Sequence, residues 1–437
     1  MSSINHIPRQ PSHTVNHEGT KVPAISAEKQ LKRLVLAAML WENQFYSDGQ
    51  DSAKLVRDLV STVEPSQVAI LAIEARHNYK LRHMPLFICR ELARIGQLNA
   101  DTLNKCIQRA DELGEFLAMY WSESKCPISN QVKKGLAQAF GKFNEYQLAK
   151  YDRDNAYVSI RDVMFLSHVK PCDKAQEALF KRVANKELTT PLTWETELSA
   201  GADKAYTFTR LMAEKKLGAL AFLRNLRNMV QAGVSEDTIR AYTLTLNVDK
   251  VLPFRFVAAA RIVPQFEDML ERLMLKSLDT SEKLPGKTVL MVDVSVSMFG
   301  TKISAKSDLD RFDAAAALAI LCSSVCEQVE IYTFSNNLVR VAPRTGFALA
   351  YALKGSQQIA GTHLGSSLAK LQAKSQYDRL IVITDEQYDD AIVPPKSDKA
   401  YILNVGSYQN GVNRGDYLTI TGFSEACIDY IREVEKE

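Results

Sequence analysis

From Ala27 onward, apolar side chains return every three or four positions: Leu31, Leu34, Val35 and Ala38, then Leu55, Leu59 and Val63, then Val68, Leu71, Ala72 and Ala75. That spacing places them on one face of an α-helix. The pattern predicts further helices over Leu86–Ile95, Leu103–Leu113, Val132–Phe140, Ala175–Val183, Thr207–Met212, Ala219–Val230, Thr238–Leu246 and Pro264–Leu275. Asp51, Ser66, Asp101, Ser129 and Ser235 each precede such a run and read as N-terminal caps, because their side-chain oxygens can accept from orphan amides. Strand-like alternation is nearly absent. Many short amphipathic helices joined by short polar turns predict an α-solenoid of stacked helix pairs, an architecture that presents an extended curved surface for binding.

At Lys287 the pattern changes. Thr288–Asp293 is a β-branched apolar run ending in an acid, followed by polar turn residues and a helical stretch over Asp308–Cys326. Val329–Phe334, Arg379–Thr384 and Ala400–Val405 read as further strands, with helical segments Ser366–Lys374 and Ser424–Val434. Strand, loop and crossover helix in this order predict a doubly wound α/β domain around a mainly parallel, buried sheet. The expected division is a mobile segment over 1–25, a helical-repeat region over 26–284 and the α/β domain over 285–437.

The longest apolar stretch, Ala314–Val325, contains two serines and is too short to cross a bilayer, so no membrane span is expected. The first twenty residues carry prolines and histidines rather than a basic start and an apolar block, which argues against export. Seven cysteines without a C-x-x-C pair suit a reducing, cytoplasmic setting. The net charge of +3 is unevenly spread: residues 286–437 hold 15 Lys+Arg against 18 Asp+Glu, leaving 39 against 33 for residues 1–285. Nearly all of the basic excess lies in Lys125–Thr190, with 12 cations against 7 acids. Such a concentrated field attracts polyanions, nucleic acid among them.

Three strand-end loops of the α/β half carry candidate chemistry. In a doubly wound sheet, ligands bind beyond the carboxyl ends of the strands. Asp293, Ser295 and Ser297 follow one strand at i, i+2, i+4; Thr362 lies in the Gly361–Gly365 loop; Asp385 follows another strand. Hydroxyls with two carboxylates form a hard-oxygen set suited to an octahedral divalent cation, Mg²⁺ foremost. The arrangement resembles the metal-ion-dependent adhesion site of von Willebrand factor A domains, with Val296 where many relatives have Gly. No phosphate-binding Walker loop, Gly-x-Ser-x-Gly elbow or zinc-spaced histidine pair is present. Asp293 lacks the second Asp, two residues on, that aspartyl phosphatases use. No bond-making activity is therefore expected.

Blocks across both halves carry a more specific resemblance: Tyr79–Arg82, Pro85–Phe87, Leu148–Tyr151, Val158–Val163, Ser167–Pro171, Thr193–Glu195, Ala221–Leu226 and Leu252–Phe254. These resemble the TROVE module of Ro autoantigen proteins. The resemblance, with the A-like domain following, extends from Ser26 to the C-terminus. It implies a HEAT-like helical ring, monomeric and closed by the A-like domain, with single-stranded 3′ ends of misfolded noncoding RNA in its hole. It further implies a small structured Y-like RNA on its surface, and action in RNA quality control or processing beside an exoribonuclease. Carried over residue by residue, the family's basic patch falls on Lys150, on His168 and, across a disturbed local alignment, on Arg153. Lys133 and Lys134 are secondary RNA contacts by position and charge. The alternative is a Mg²⁺-dependent protein-interaction scaffold built on the A-domain site.

Overall fold

The computed structural model describes residues 13–15, 21–23, 26–41, 50–152, 156–189, 193–249, 251–279, 282–303, 309–385, 390–406, 411–414, 416–421 and 427–436. Most of the segment 1–25 expected to be mobile, and Arg153, lie outside the described residues. Packing divides the chain into two compact units, one of residues 25–193 and one in which residues 194–437 fold with the first 24. The latter include a short hairpin of β1 (His13–Val15) and β2 (Lys21–Pro23).

The 25–193 unit is helical: α1 (Ala27–Trp41), α2 (Gln50–Val60), α3 (Pro65–His77), α4 (His83–Arg94), α5 (Ala100–Cys106), α6 (Asp111–Tyr120), α7 (Asn130–Phe140), α8 (Glu145–Ala149), α9 (Ile160–Ser167) and α10 (Lys174–Asn185). Helices pack on their second neighbours as well as their first: α1 on α2 and α3, α3 on α4 and α5, α5 on α7, and α7 on α9. This is the stacking of a solenoid. The apolar face read on α3 is buried, with Val68, Leu71, Ala72 and Ala75 all enclosed; of the next face, Leu59 and Val63 are buried but Leu55 is exposed.

Two local expectations are corrected. The helix read over Leu103–Leu113 is two helices, since Glu112 breaks it. Its fully buried carboxylate accepts from the backbone amides of Gln108 (2.8 Å) and Arg109 (3.0 Å) and from Arg76 Nη2 (2.6 Å), which stabilises the turn between α5 and α6. The apolar period runs through the break because the turn residues Ile107 and Ala110 are buried too. Of the expected caps, Ser129 and Ser235 accept from Val132 and Thr238 amides. Asp51 and Ser66 lie inside α2 and α3, and Asn99 rather than Asp101 caps α5.

In the other unit, α11 (Trp194–Ser199), α12 (Lys204–Ala213), α13 (Ala219–Gln231), α14 (Glu236–Thr243), α15 (Pro253–Ile262) and α16 (Glu267–Leu278) stack on one another in the same manner. They lead into β3 (Leu284–Asp293), α17 (Arg311–Val325), β4 (Cys326–Phe334), β5 (Leu338–Arg340), α18 (Gly346–Lys354), α19 (Leu364–Lys374), β6 (Arg379–Thr384), β7 (Lys399–Asn404), β8 (Gly411–Arg414), β9 (Leu418–Thr421) and α20 (Cys427–Glu435). The change from helix to sheet at Leu284 is therefore not where packing divides the chain. Helix α15 packs on α17, and α16 on α18, where Glu271 accepts from the Phe347 amide at 2.8 Å and orders the start of α18.

The sheet runs β5-β4-β3-β6-β7-β9-β8, parallel from β4 to β9 and closed at both edges by short antiparallel strands. Strand β6 is buried along its whole length, as expected of a strand covered on both faces. Leu364, Leu368 and Leu371 of α19 pack with Val289, Met291, Leu380, Val382 and Ile402 on one face. Helix α17 contacts β3 and β6. The edge strands β5 and β8, and β9 beside β8, were not legible as strands because each is only three or four residues long.

Close approach of α5 and α7 depends on Gly135. A methyl there would stand 2.8 Å from the Ala100 carbonyl oxygen and 2.9 Å from Leu103 Cβ. Gly135→Ala is expected to destabilise the protein by about 1–3 kcal/mol, since backbone rather than a flexible side chain must give way. Chemical denaturation compares the two proteins; equal midpoints would show that the helices separate freely.

Candidate metal centre and nucleic-acid interface

Strands β3 and β6 lie in parallel register with Val292 opposite Ile383. This brings Asp293 beside Thr384 at their carboxyl ends. Thr384 Oγ1 donates to Asp293 Oδ2 at 2.7 Å, and the Ser295 amide donates to Asp293 Oδ1 at 2.8 Å. Beyond the strand, Ser295 and Ser297 hydroxyls are 3.2 Å apart in a single 3₁₀ turn over Val296–Met298. Val296 does not have positive φ, so the absence of Gly there imposes no backbone strain.

The Thr362 loop is brought to the same rim by backbone bonds. The Val296 amide donates to the Ala360 carbonyl (3.1 Å), and the Val294 amide to the Phe334 carbonyl (3.0 Å). Ser335, at the end of β4, then holds the loop: its hydroxyl donates to the Gly361 carbonyl (2.9 Å) and accepts from the Ala360 amide (3.1 Å), while its carbonyl accepts from the His363 amide (3.0 Å). Asp385 follows Thr384 directly. All five residues read as metal ligands therefore stand on adjoining strand-end segments, and Asp293, Ser295, Thr362 and Asp385 are buried.

The two carboxylates are charged differently. Asp293 is fully buried and, among the described residues, is bonded by a hydroxyl and an amide but paired with no cation. Burial is the main cause that pushes its pKa up to about 6, opposed by the Ser295 and Thr384 hydrogen bonds. A dry carboxylate without a counter-charge, flanked by hydroxyls, is the donor environment a hard divalent cation satisfies. Asp385 instead accepts from Arg311 Nη1 at 2.6 Å, in a pair whose side chains are 7% and 0% exposed. Among the described residues no three His, Cys, Asp or Glu side chains converge, so hydroxyl oxygens are indispensable to any ion bound here. Arg311 was missed in the sequence because it is 74 residues from Asp385. Ser335 carried no motif at all.

The RNA-contact candidates lie in the 25–193 unit. Lys133 and Lys134 occupy the first turns of α7, Lys150 caps the C-terminus of α8, and His168 caps α9 in the left-handed conformation at φ 54°. Lys134, Lys150 and His168 are exposed and Lys133 is half-buried; among the described residues none of the four is held in an ion pair. Several other cations of the basic stretch are bonded within the helical unit. Arg182 pairs with Glu145 at 2.8 Å, Lys181 with Glu177 at 2.8 Å, Lys142 donates to the Asn104 and Ile107 carbonyls, and Arg161 donates to the Ala184 carbonyl at 2.8 Å. His168 borders a groove of about 310 Å³ with Phe165, Pro171 and Phe180. Phe165 is 52% exposed. Lys150 Nζ lies 5.8 Å from the Tyr151 ring centroid.

The raised pKa of Asp293 has a consequence for stability. The native state holds this proton more tightly than the unfolded chain, so stability from this group falls as pH rises from about 4 to about 6. With metal chelated, Asp293→Asn is expected to be more stable than wild type at pH 7, by up to about 3 kcal/mol, and to lose that advantage by about pH 4. Urea denaturation of both proteins in chelator across this range tests it; a pH-independent difference would overturn it.

A TROVE domain family profile matches residues 181–310, a span that includes Asp293, Ser295 and Ser297 but not the basic candidates. Telomerase protein component 1 of Rattus norvegicus is 30% identical over 116 residues, 25% of this chain, and that of Mus musculus is 29% identical over the same length. The matched segment is 4% of the length of these relatives. The crystal structure of the Deinococcus radiodurans RO (RSR) protein superposes with a TM-score of 0.72 at 18% identity, covering 93% of this chain and 98% of that one. Residues 181–310 thus match a TROVE domain, and the chain shares the fold of a Ro protein.

Proposed function

We propose that this protein binds RNA as Ro proteins do, holding single-stranded 3′ ends of misfolded noncoding RNA against a basic helical surface, and a small structured, Y-like RNA as a second ligand. Its role would be RNA quality control or processing beside an exoribonuclease, with no bond made or broken by the protein itself. The observation that carries this reading is that Lys133, Lys134, Lys150 and His168 lie outside any ion pair among the described residues, in a segment where Arg182, Arg161 and Lys142 are held by the fold. Lysines that do not serve the structure can neutralise phosphates, a contact that supplies affinity without reading sequence. The exposed Phe165 beside His168, and the half-buried Tyr151 beside Lys150, suit stacking of unpaired bases. The TROVE match and the Ro fold support the same reading. Closure of the helical repeats into a ring belongs to it, as does Mg²⁺ held by Asp293, Ser295, Ser297, Thr362 and Asp385.

Binding of an unstructured RNA 3′ tail is expected to weaken steeply with salt, with a log–log slope that loses about 0.7 for each phosphate contact removed. Lys150→Ala combined with His168→Asn, a residue that tolerates the left-handed backbone, is expected to reduce affinity at least about tenfold. Gel-shift titrations over a salt series read both quantities. Salt-insensitive binding, or unchanged affinity in the double variant, would overturn the proposal.

The uncompensated carboxylate of Asp293 favours a second reading, a Mg²⁺-dependent protein-interaction scaffold in which a partner's acidic side chain completes the metal shell. Pull-downs that survive ribonuclease and collapse on chelation are the result expected of it; capture that ribonuclease abolishes favours RNA binding.

A further inference from the structure

Arg311 is the first residue of α17, where the helix dipole and the unsatisfied amides are positive and a cation is disfavoured. It is also buried, at 5% exposure. A buried arginine at a helix N-terminus breaks the local rule, and such violations mark positions held for another purpose. The surroundings place it firmly. Its amide donates to the Thr301 carbonyl at 3.0 Å, and it follows Asp310, whose capping box with Asp313 fixes the helix start. Gly406 lies against the ion pair: a methyl there would stand 2.5 Å from Asp385 Cβ and 3.3 Å from Arg311 Cζ. Asp313 carries a cation of its own, Arg261 of α15, so Arg311 is not needed to neutralise the acids at its helix start.

We propose that Arg311 is a resident counter-cation that competes with a divalent ion for Asp385 and thereby lowers the affinity of the site. This rests on the reading of Asp293, Ser295, Ser297, Thr362 and Asp385 as a metal site. One of the two acids already has its charge balanced from within the protein, whereas Asp293 is paired with no cation among the described residues. A divalent ion gains the full attraction of Asp293 but meets at Asp385 a carboxylate already bonded to a guanidinium, whose like charge repels it in a dry environment where screening is weak. The site then discriminates strongly between filling alone and filling together with an additional anionic ligand, because only the latter restores charge balance.

Mn²⁺ titration followed by electron paramagnetic resonance on the full chain tests this, comparing wild type, Arg311→Gln and Arg311→Lys. Arg311→Gln is expected to bind Mn²⁺ at least about tenfold more tightly, equivalent to ~1.4 kcal/mol. Arg311→Lys, which keeps the charge but not the planar fork, is expected to fall between the two and stands in should the Gln variant fail to fold by circular dichroism. If wild type binds Mn²⁺ and the folded variants bind no more tightly, Arg311 has no such role although the metal site stands. If neither wild type nor variants bind Mn²⁺ at millimolar concentration, the metal-site reading fails and this proposal with it.

Discussion

The α/β half is organised around a carboxylate that has been taken out of water. Asp293 ends an interior strand, β3, of the parallel sheet and is fully buried. Two hydrogen bonds ease that, from the Thr384 hydroxyl on the neighbouring strand and the Ser295 amide of its own loop, while the nearby Asp385 opposes it. Burial raises the free energy of the charged form, and each hydrogen bond recovers only part of that cost. A site of this kind is poised to accept positive charge.

The same half also contains a positive charge in an unfavourable place, and the two facts belong together. Arg311 at the start of α17 satisfies Asp385, while among the described residues Asp293 is paired with no cation. The rim therefore carries one neutralised acid and one that is not, which separates the roles of two residues that look equivalent in the chain. Helix α17 contacts α15 at the same end, through Arg261 and Asp313. Charge changes at the rim are thus one helix away from the helical repeats of the same unit.

The basic region of the 25–193 unit shows how little net charge says about availability. Of its cations, several are ion-paired or bonded to backbone carbonyls at helix ends, where they hold neighbouring helices together. What remains for a ligand is a smaller set, distinguished by position at helix ends and by exposed aromatic neighbours.

Periodicity alone determined that the first part of the chain is helical and that the last part is a parallel sheet with crossover helices, because amphipathic faces and fully buried strands leave patterns of 3.6 and of unbroken apolar residues. The strand-end acids and hydroxyls were legible for the same reason: each ends a run whose direction is known. The break between α5 and α6 was not, since Glu112 makes it through Arg76, 36 residues earlier, and the short strands β5, β8 and β9 have too few residues to show alternation. Which cations are spent on the fold, and that Arg311 balances Asp385 across 74 residues, only the tertiary structure decided. Ion pairs act through space, and their partners leave no trace in local sequence.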